Sequence, residues 1–305
     1  MDAPRRCEVL VCTSPKAGSG AGRERIATLV EGLRSRGIAA DVTTDISYVR
    51  TKSHADRRSA PELVIVSAGG DGTLALVAQN TPKATVLVPM PLGTENLLAR
   101  HFGFLADPPA IIETILHGHD HAIDSGLANG KLFLVMVTCG FDAAVVRAMH
   151  LRRRGHISRL SYLWPILRTL GRYSFPPLRV TVHGDSAEAS EADDIYRWAM
   201  VFNLPRYAAS LRIEHEAIEN DGQLNFCGLR NGGLVGSVRY LGGIVAGRHI
   251  HWADVTRRAM TGCRIESPVV VPYQIDGDYA GRLPLEISVL PAHITLRLPP
   301  ASPAN

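Results

Sequence analysis

Three short runs in this 305-residue sequence combine glycine with side chains that could do chemistry. Residues 14–20 read SPKAGSG, residues 69–73 read GGDGT, and residues 91–94 read PLGT. Glycine permits positive φ and lets backbone N–H groups converge on an anion. A helix starting just past such a turn adds its N-terminal amides and the positive end of its dipole. The chemistry these runs point to is phosphate binding. Two common versions of it are excluded. A Walker loop ends in Gly-Lys-Ser/Thr, and the loop at Gly18 has no such lysine. A GxGxxG fingerprint would need glycine where Arg23 or Arg25 stands. Asp71 lies inside the second run. A bare carboxylate beside phosphates repels them, so Asp71 is expected to hold Mg²⁺, directly or through water. The competing expectation is a tight turn with Asp71 capping a helix. Far along the chain, Asp276-Gly277-Asp278 sets two acids around a glycine. A hydroxyl nucleophile needs an acceptor within hydrogen-bond reach. In an extended strand residues i and i+2 face one side, which would present both acids together. Turn chemistry alone reads the same residues as a hairpin with solvated acids.

The elements that must position these runs are legible from periodicity. Residues 8–13, 39–43, 63–67 and 85–88 read as strands. Residues 23–35, 74–79 and 95–101 read as helices, the first stopped by Gly37. The run LVIVS at 63–67 is apolar throughout, as in a strand buried on both faces. Strand and helix in alternation imply a parallel, doubly wound sheet over residues 1–125. In such a sheet ligands sit beyond the carboxyl ends of the strands, where the glycine runs fall. From about Asp124 onward β-type runs dominate, with Asn129-Gly130 marking a hairpin. Residues 126–298 therefore form a mostly antiparallel β-sandwich domain with a helical insertion. Helical patterns fall near 143–150, 157–172 and 234–246, and the tail 299–305 is expected to be disordered.

The residues that look catalytic also carry a resemblance. VSAGGDGTLALVAQ is similar to the nucleotide-binding signature of the diacylglycerol kinase catalytic-domain family. That family includes bacterial lipid kinases, sphingosine kinases and ceramide kinases, with NAD kinases and phosphofructokinases as distant relatives. Further segments match in order: SPKAGSG, PLGTENLLARHFG, IDSGLANGKLFL, CGFDAAV, then Asn203, Asp221-Gly222 and Asp276-Gly277-Asp278. The resemblance implies a two-domain kinase using ATP and Mg²⁺, with lipid entering a cleft and the β domain supplying the base. It implies nucleotide contacts from Ser14, Gly18, Ser19, Gly20, Gly69, Gly70, Asp71, Gly72, Thr73 and Thr94. It puts Asp276 and Asp278 in the catalytic role, and Asp71, Asp124 and Asp221 as metal-site candidates. Four departures bear on magnesium geometry and rate. Ser14 stands for the usual Asn, Leu97 for Asp, Asp278 for Glu, and Tyr207-Ala208-Ala209-Ser210 for a Gly-rich stretch. A base displaced by ~1 Å can cost on the order of 100-fold. The leading expectation is an ATP-dependent kinase of diacylglycerol or a related long-chain lipid. A kinase of a sphingoid base or another hydroxyl substrate, and a catalytically weak nucleotide- or lipid-binding protein, stay open.

Composition bounds the partners. A formal charge of +4 is too small to argue for nucleic acid. Its distribution is uneven. Residues 143–184 hold eight arginines and no acid, so the rest of the chain carries −4. Arg152, Arg153 and Arg154 precede an apolar stretch containing Trp164. A basic segment with Trp, Tyr and Leu suits an anionic membrane surface. The competing reading is a core helix behind a solvated arginine loop. The expected partners are thus a lipid substrate and a membrane surface, with no nucleic acid and a homodimer left open. Five scattered cysteines without a CxxC pair argue against a disulfide framework or zinc ribbon. No signal peptide and no apolar run of ~18 residues is read, so the expected place is cytoplasmic, peripheral on the inner face of the cell membrane. His117, His119 and His121 alternate, which reads as a connecting loop rather than a ligand set.

Overall fold

The structure is a computed structural model and describes residues 7–14, 20–56, 60–150, 169, 171–183, 194–207, 211 and 213–300. The chain divides into two compact units, Met1–Ile123 with Ala292–Asn305, and Asp124–Pro291.

In the first unit, β1 (Cys7–Thr13), β2 (Ala40–Thr43), β3 (Glu62–Gly69) and β4 (Val86–Pro91) form a parallel sheet in the order β2-β1-β3-β4. Val9, Val11, Val64, Val66, Val86 and Val88 fill a core with Leu29 and Leu33 of α1 (Gly20–Arg34) and Ile111, Ile112 and Ile115 of α5 (Pro108–His117). Burial on both faces explains the continuous apolar run of β3. Three further helices are α2 (Ile46–His54), α3 (Asp71–Gln79) and α4 (Leu97–His101). Asp45 caps α2 by accepting from the Ser47 amide, and Asp107 caps α5 by accepting from the Ala110 amide.

The fifth strand of this sheet comes from the far end of the chain. Thr295 and Leu296 of β16 (Leu285–Leu298) pair in parallel with Val86 and Leu87. Arg297 is fully buried and bonds Asp120 at 2.7 Å and Glu62 at 3.0 Å. A buried guanidinium needs such partners, and they lie in the first unit. Residues 292–298 therefore belong with the first unit, where the sequence placed them in the second. The lower boundary falls at Ile123/Asp124 rather than 125/126, within β5 (His119–Ala128). His119 and His121 lie in that strand, not in a loop. The tail 301–305, Gly18, Ser19, Arg152, Arg153, Arg154 and Trp164 lie outside the described residues.

The second unit holds an antiparallel sheet ordered β12-β11-β10-β7-β14-β15. Its strands are β7 (Met136–Gly140), β10 (Trp198–Phe202), β11 (Leu224–Leu229), β12 (Val255–Met260), β14 (Pro272–Ile275) and β15 (Asp278–Arg282). The opposing layer contains β8 (Leu178–His183), β9 (Asp194–Tyr196), β13 (Gly262–Glu266) and the first residues of β16. Val137, Val201 and Phe226 of the first layer share one core with Val180, Ile265 and Ile287 of the second. This is the sandwich the sequence implied. A hairpin joins β5 to β6 (Lys131–Phe133), with Asn129 and Gly130 both at positive φ, 47° and 79°. A two-residue turn with two positive φ values twists as its strands do. Among the described residues the unit also holds helices α6 (Phe141–His150) and α7 (Gly233–Val245). All five cysteines are buried and free. No helix among the described residues is long and apolar enough to cross a membrane.

Candidate active site

In the first unit, β3 runs straight into α3 through Gly69 and Gly70. Gly70 is the N-cap, and no side chain caps the helix. The Thr73 and Leu74 amides return to the Gly70 carbonyl at 3.0 and 3.2 Å. The amides of Asp71 and Gly72, in the first turn, are those that have no helical partner by construction. The loop after β4 lies against this start. A Cβ on Gly93 would come within 2.6 Å of both the Gly70 Cα and the Asn96 Oδ1, so glycine at 93 is what lets the loops touch. Asn96 sits in the left-handed region at φ 49° and locks the loop. Its Oδ1 accepts from the Gly93 amide at 3.1 Å, and its Nδ2 donates to the Gly93 carbonyl at 2.8 Å.

Asp71 reaches across this contact. One carboxylate oxygen accepts from the Leu97 amide at 2.8 Å, and the other from the Leu98 amide at 3.1 Å. It therefore caps a helix, as one sequence reading held, but the helix is α4 and not its own. Burial pushes the Asp71 carboxyl up, against the lowering effect of those two amides and of Arg100. Leu97 is buried, so the place where the resembled family carries an acid is apolar here. Thr94 is exposed beside Gly93, Ser14 is half-buried at the end of β1, and Gly20 is exposed at the start of α1.

The fit to phosphate is good on this unit's own geometry. It presents an uncapped helix start behind two glycines, with its nearest acid turned away toward α4. The fit to a protein-held metal is poor. No group of three or more His, Cys, Asp or Glu side chains among the described residues gathers to hold one. Asp124 is buried, and its Oδ2 accepts from the Gly222 amide at 2.6 Å. Asp221 is exposed and accepts from the Gln223 amide at 2.9 Å in a local turn.

In the second unit, Asp276 and Gly277 form the turn between β14 and β15, at φ 47° and 88°. Ile275 pairs with Asp278, so this is a two-residue hairpin like the one at Asn129-Gly130. Asp276 accepts three backbone bonds on its carboxylate, from Leu134 at 2.8 Å and from Val135 and Met136 at 2.9 Å. Its own amide donates to the Met136 carbonyl at 3.0 Å. The two acids are thus not a matched pair on one strand face. The positive φ values take Asp276 out of extended geometry, and its carboxylate is bound to the β6–β7 link, while Asp278 is exposed.

Sequence reasoning gave no role to a buried cluster that holds this turn from behind. Gln274 is buried. It accepts from the Gly277 amide at 2.7 Å and donates to Thr138 Oγ1 at 2.9 Å and Asp142 at 3.4 Å. The Asp142 carboxylate also accepts from Thr138 at 2.5 Å and from the Tyr207 hydroxyl. Burial pushes the Asp142 carboxyl up, and the Thr138, Tyr207 and Gln274 donors oppose it. The signal was present in part, since Asp142 lies in the GFDA run at the start of α6. Behind it, buried Asn203 donates to the Asp124 and Leu134 carbonyls at 3.0 and 2.8 Å.

A parallel α/β unit with an uncapped helix start behind two glycines, followed by a β-sandwich unit with an acid-bearing hairpin, is the fold of diacylglycerol kinase-like and NAD kinase-like structures. Residues 8–128 match the diacylglycerol kinase catalytic domain, and residues 135–298 match the YegS C-terminal NAD kinase beta sandwich-like domain. The chain belongs to the kinase family built from those two domains. Relatives agree over nearly the full length. A diacylglycerol kinase of Mycobacterium tuberculosis is 28% identical over 301 residues, covering 96% of this chain and 95% of that protein. A "Probable lipid kinase YegS-like" of Pseudomonas aeruginosa is 28% identical over 298 residues, covering 94% and 93%. Among solved structures, a diacylglycerol kinase from Bacillus anthracis superposes with a TM-score of 0.63 at 18% identity, covering 96% and 97%. An NAD kinase from Archaeoglobus fulgidus in complex with ATP gives 0.50 at 11% identity, covering 95% and 93%.

Proposed function

We propose that this protein is an ATP-dependent lipid kinase that phosphorylates a hydroxyl of diacylglycerol or a related long-chain lipid. The observation that carries the reading is the uncapped start of α3 behind Gly69 and Gly70, in a chain whose relatives are named as lipid kinases. Phosphoryl transfer asks mainly for positioning and charge stabilisation. The α3 amides bind and orient the phosphates, with Thr73 and Thr94 alongside and the Ser14–Gly20 loop as the second contact. ATP supplies the phosphoryl group; Mg²⁺ brought in with it would offset the phosphate charge, since the described residues gather no protein cage for a metal.

Asp278 is assigned as the acceptor of the substrate hydroxyl proton, and Asp276 as the residue that fixes its turn. The lipid oxygen bonds to the γ-phosphorus, the bond to the bridging oxygen breaks, and the hydroxyl proton passes to Asp278. The second reading, a weak or inactive nucleotide- and lipid-binding protein, is favoured by buried Leu97 and by Asp278 being one methylene short of the usual Glu. Transfer of γ-labelled phosphate to a panel of diacylglycerol, ceramide, sphingoid base and NAD separates the cases. Label on a lipid, lost in Asp278→Ala, is the expected result. Label on NAD alone, or ATP binding with no label anywhere, overturns the lipid-kinase reading.

A further inference from the structure

Thr138 of β7, Gln274 of β14 and Tyr279 of β15 stand directly opposite one another across three neighbouring strands. Opposed residues share a face of the sheet, so their side chains form one row. The adjacent row is Val137, Ile275 and Asp278, and its first two members lie in the sandwich core. Successive residues point to opposite faces, so the Thr138 row looks away from that core. Helix α6 grips it at two points. Near the start of α6 the Asp142 carboxylate accepts from the Thr138 hydroxyl at 2.5 Å and from the Tyr207 hydroxyl. Further along, Arg147 lies 5.9 Å over the Tyr279 ring. The residue before Asp278 and the residue after it are therefore both tied to the α6 side.

The hydrogen bonds of this row run in one direction. A carboxylate only accepts, so the Thr138 hydroxyl donates to Asp142 and receives the Gln274 Nε2 at 2.9 Å. That fixes the orientation of the Gln274 amide. Its Nε2 is spent on Thr138, and its Oε1 is turned to accept from the Gly277 amide at 2.7 Å. Gln274 and Thr138 are fully buried, where a polar group is costly unless its bonds are made. Packing against α6 asks only for apolar side chains at these positions. A satisfied polar row adds a fixed direction, and that direction ends on the amide adjoining Asp278. Asp276 holds its own half of the turn through three other amides, so Gln274 is what holds the Gly277 half.

We propose that Gln274, braced through Thr138 by Asp142 and Tyr207, is a positioning residue that sets Asp278 against the substrate hydroxyl. This rests on the lipid-kinase reading, in which Asp278 takes the hydroxyl proton. The test follows γ-labelled phosphate into the lipid that the wild type labels best, with rates expressed per folded protein. Gln274→Met keeps the approximate size of the side chain and removes its hydrogen bonds. Its kcat should fall about tenfold to 100-fold, as for a base displaced by ~1 Å, while the KM for ATP is unchanged. In the Asp278→Ala background the same substitution should cost nothing further, because its effect passes through Asp278. A merely structural role lowers transfer by the same factor in both backgrounds. Should Gln274→Met not fold, Tyr207→Phe removes only the outermost donor and should show the same pattern at about threefold. Equal losses in the two backgrounds, an unchanged kcat, or a loss confined to the KM for ATP overturns the proposal and leaves the lipid-kinase reading standing. A wild type that labels no lipid overturns that reading, and the positioning role with it.

Discussion

Asp71 and Asp276 occupy the two runs that look most catalytic, and they turn out to do similar things. Each sits in a glycine turn at a strand end and spends its carboxylate on backbone amides of a remote segment. Asp71 takes two amides at the start of α4, and Asp276 takes three from the β6–β7 link. The difference lies in what each leaves open. Asp71 turns away from the helix it begins, and so leaves α3 free to receive an anion. Asp276 fills its own amide cluster completely and leaves the next acid, Asp278, facing solvent. A candidate anion site is therefore recognised less by the acid inside a motif than by which amides that acid does not satisfy.

The strongest way to break this comparison is Asp276→Ala. It orphans three buried amides and should cost about 3 kcal/mol or more. A drop in the urea midpoint, with transfer lost in proportion to folded protein, is expected. Full stability with transfer abolished would return Asp276 to the chemistry. Asp278→Ala should do the opposite. Transfer falls by on the order of 10²–10⁴-fold, while stability moves by no more than about 0.5 kcal/mol, as for an exposed side chain. Asp71→Ala comes next, at about 1–2 kcal/mol for a lost helix cap, measured by thermal unfolding without ligand. If stability holds and nucleotide affinity collapses, Asp71 is a ligand-holding group and not a cap.

The smallest effect is a pair of opposite pH slopes. Burial raises the Asp71 carboxyl, so its contribution is fully present below the unfolded value of 3.8 and is lost as pH rises through the folded value. Relative to Asp71→Asn, the wild type should therefore lose stability as pH rises through that window. Asp254 runs the other way, because Arg239 holds its carboxyl low. Its contribution is present above 3.8 and lost as pH falls toward the folded value, so the wild type should gain on Asp254→Asn as pH rises to 3.8. Slopes of the same sign in the two variants would show that one of the two environments is misread.

Much of this was legible in the chain. The strands of the first unit follow from continuous apolar runs, and the Asn129-Gly130 hairpin follows from its turn residues. Helix α2 was not, because only Val49 and Ser53 of its nine residues are buried and the stripe is too thin to mark a period. The glycine runs located the uncapped start of α3, but local spacing carries no information on a carboxylate whose partners lie 26 or 141 residues away. For the same reason Gln274 and Asp142 passed unnoticed: one strand residue and one helix residue acquire a joint purpose only when α6 packs behind β14. The shared core face of residues 292–298 looked like any closing strand until Arg297 found Glu62 and Asp120.

That last strand has a consequence for synthesis. A ribosome delivers residues 1–123 first, yet their sheet lacks its fifth strand until residues 292–298 leave the exit tunnel. Until then β4 is an unpaired edge, and Glu62 and Asp120 wait for the guanidinium of Arg297. The second unit, continuous in sequence, has all its strands delivered before the first does, so the N-terminal unit is not the first to hold its whole sheet. A premature stop before Thr295 would leave every residue of the glycine runs in place and still withhold the closing strand of the sheet that carries them.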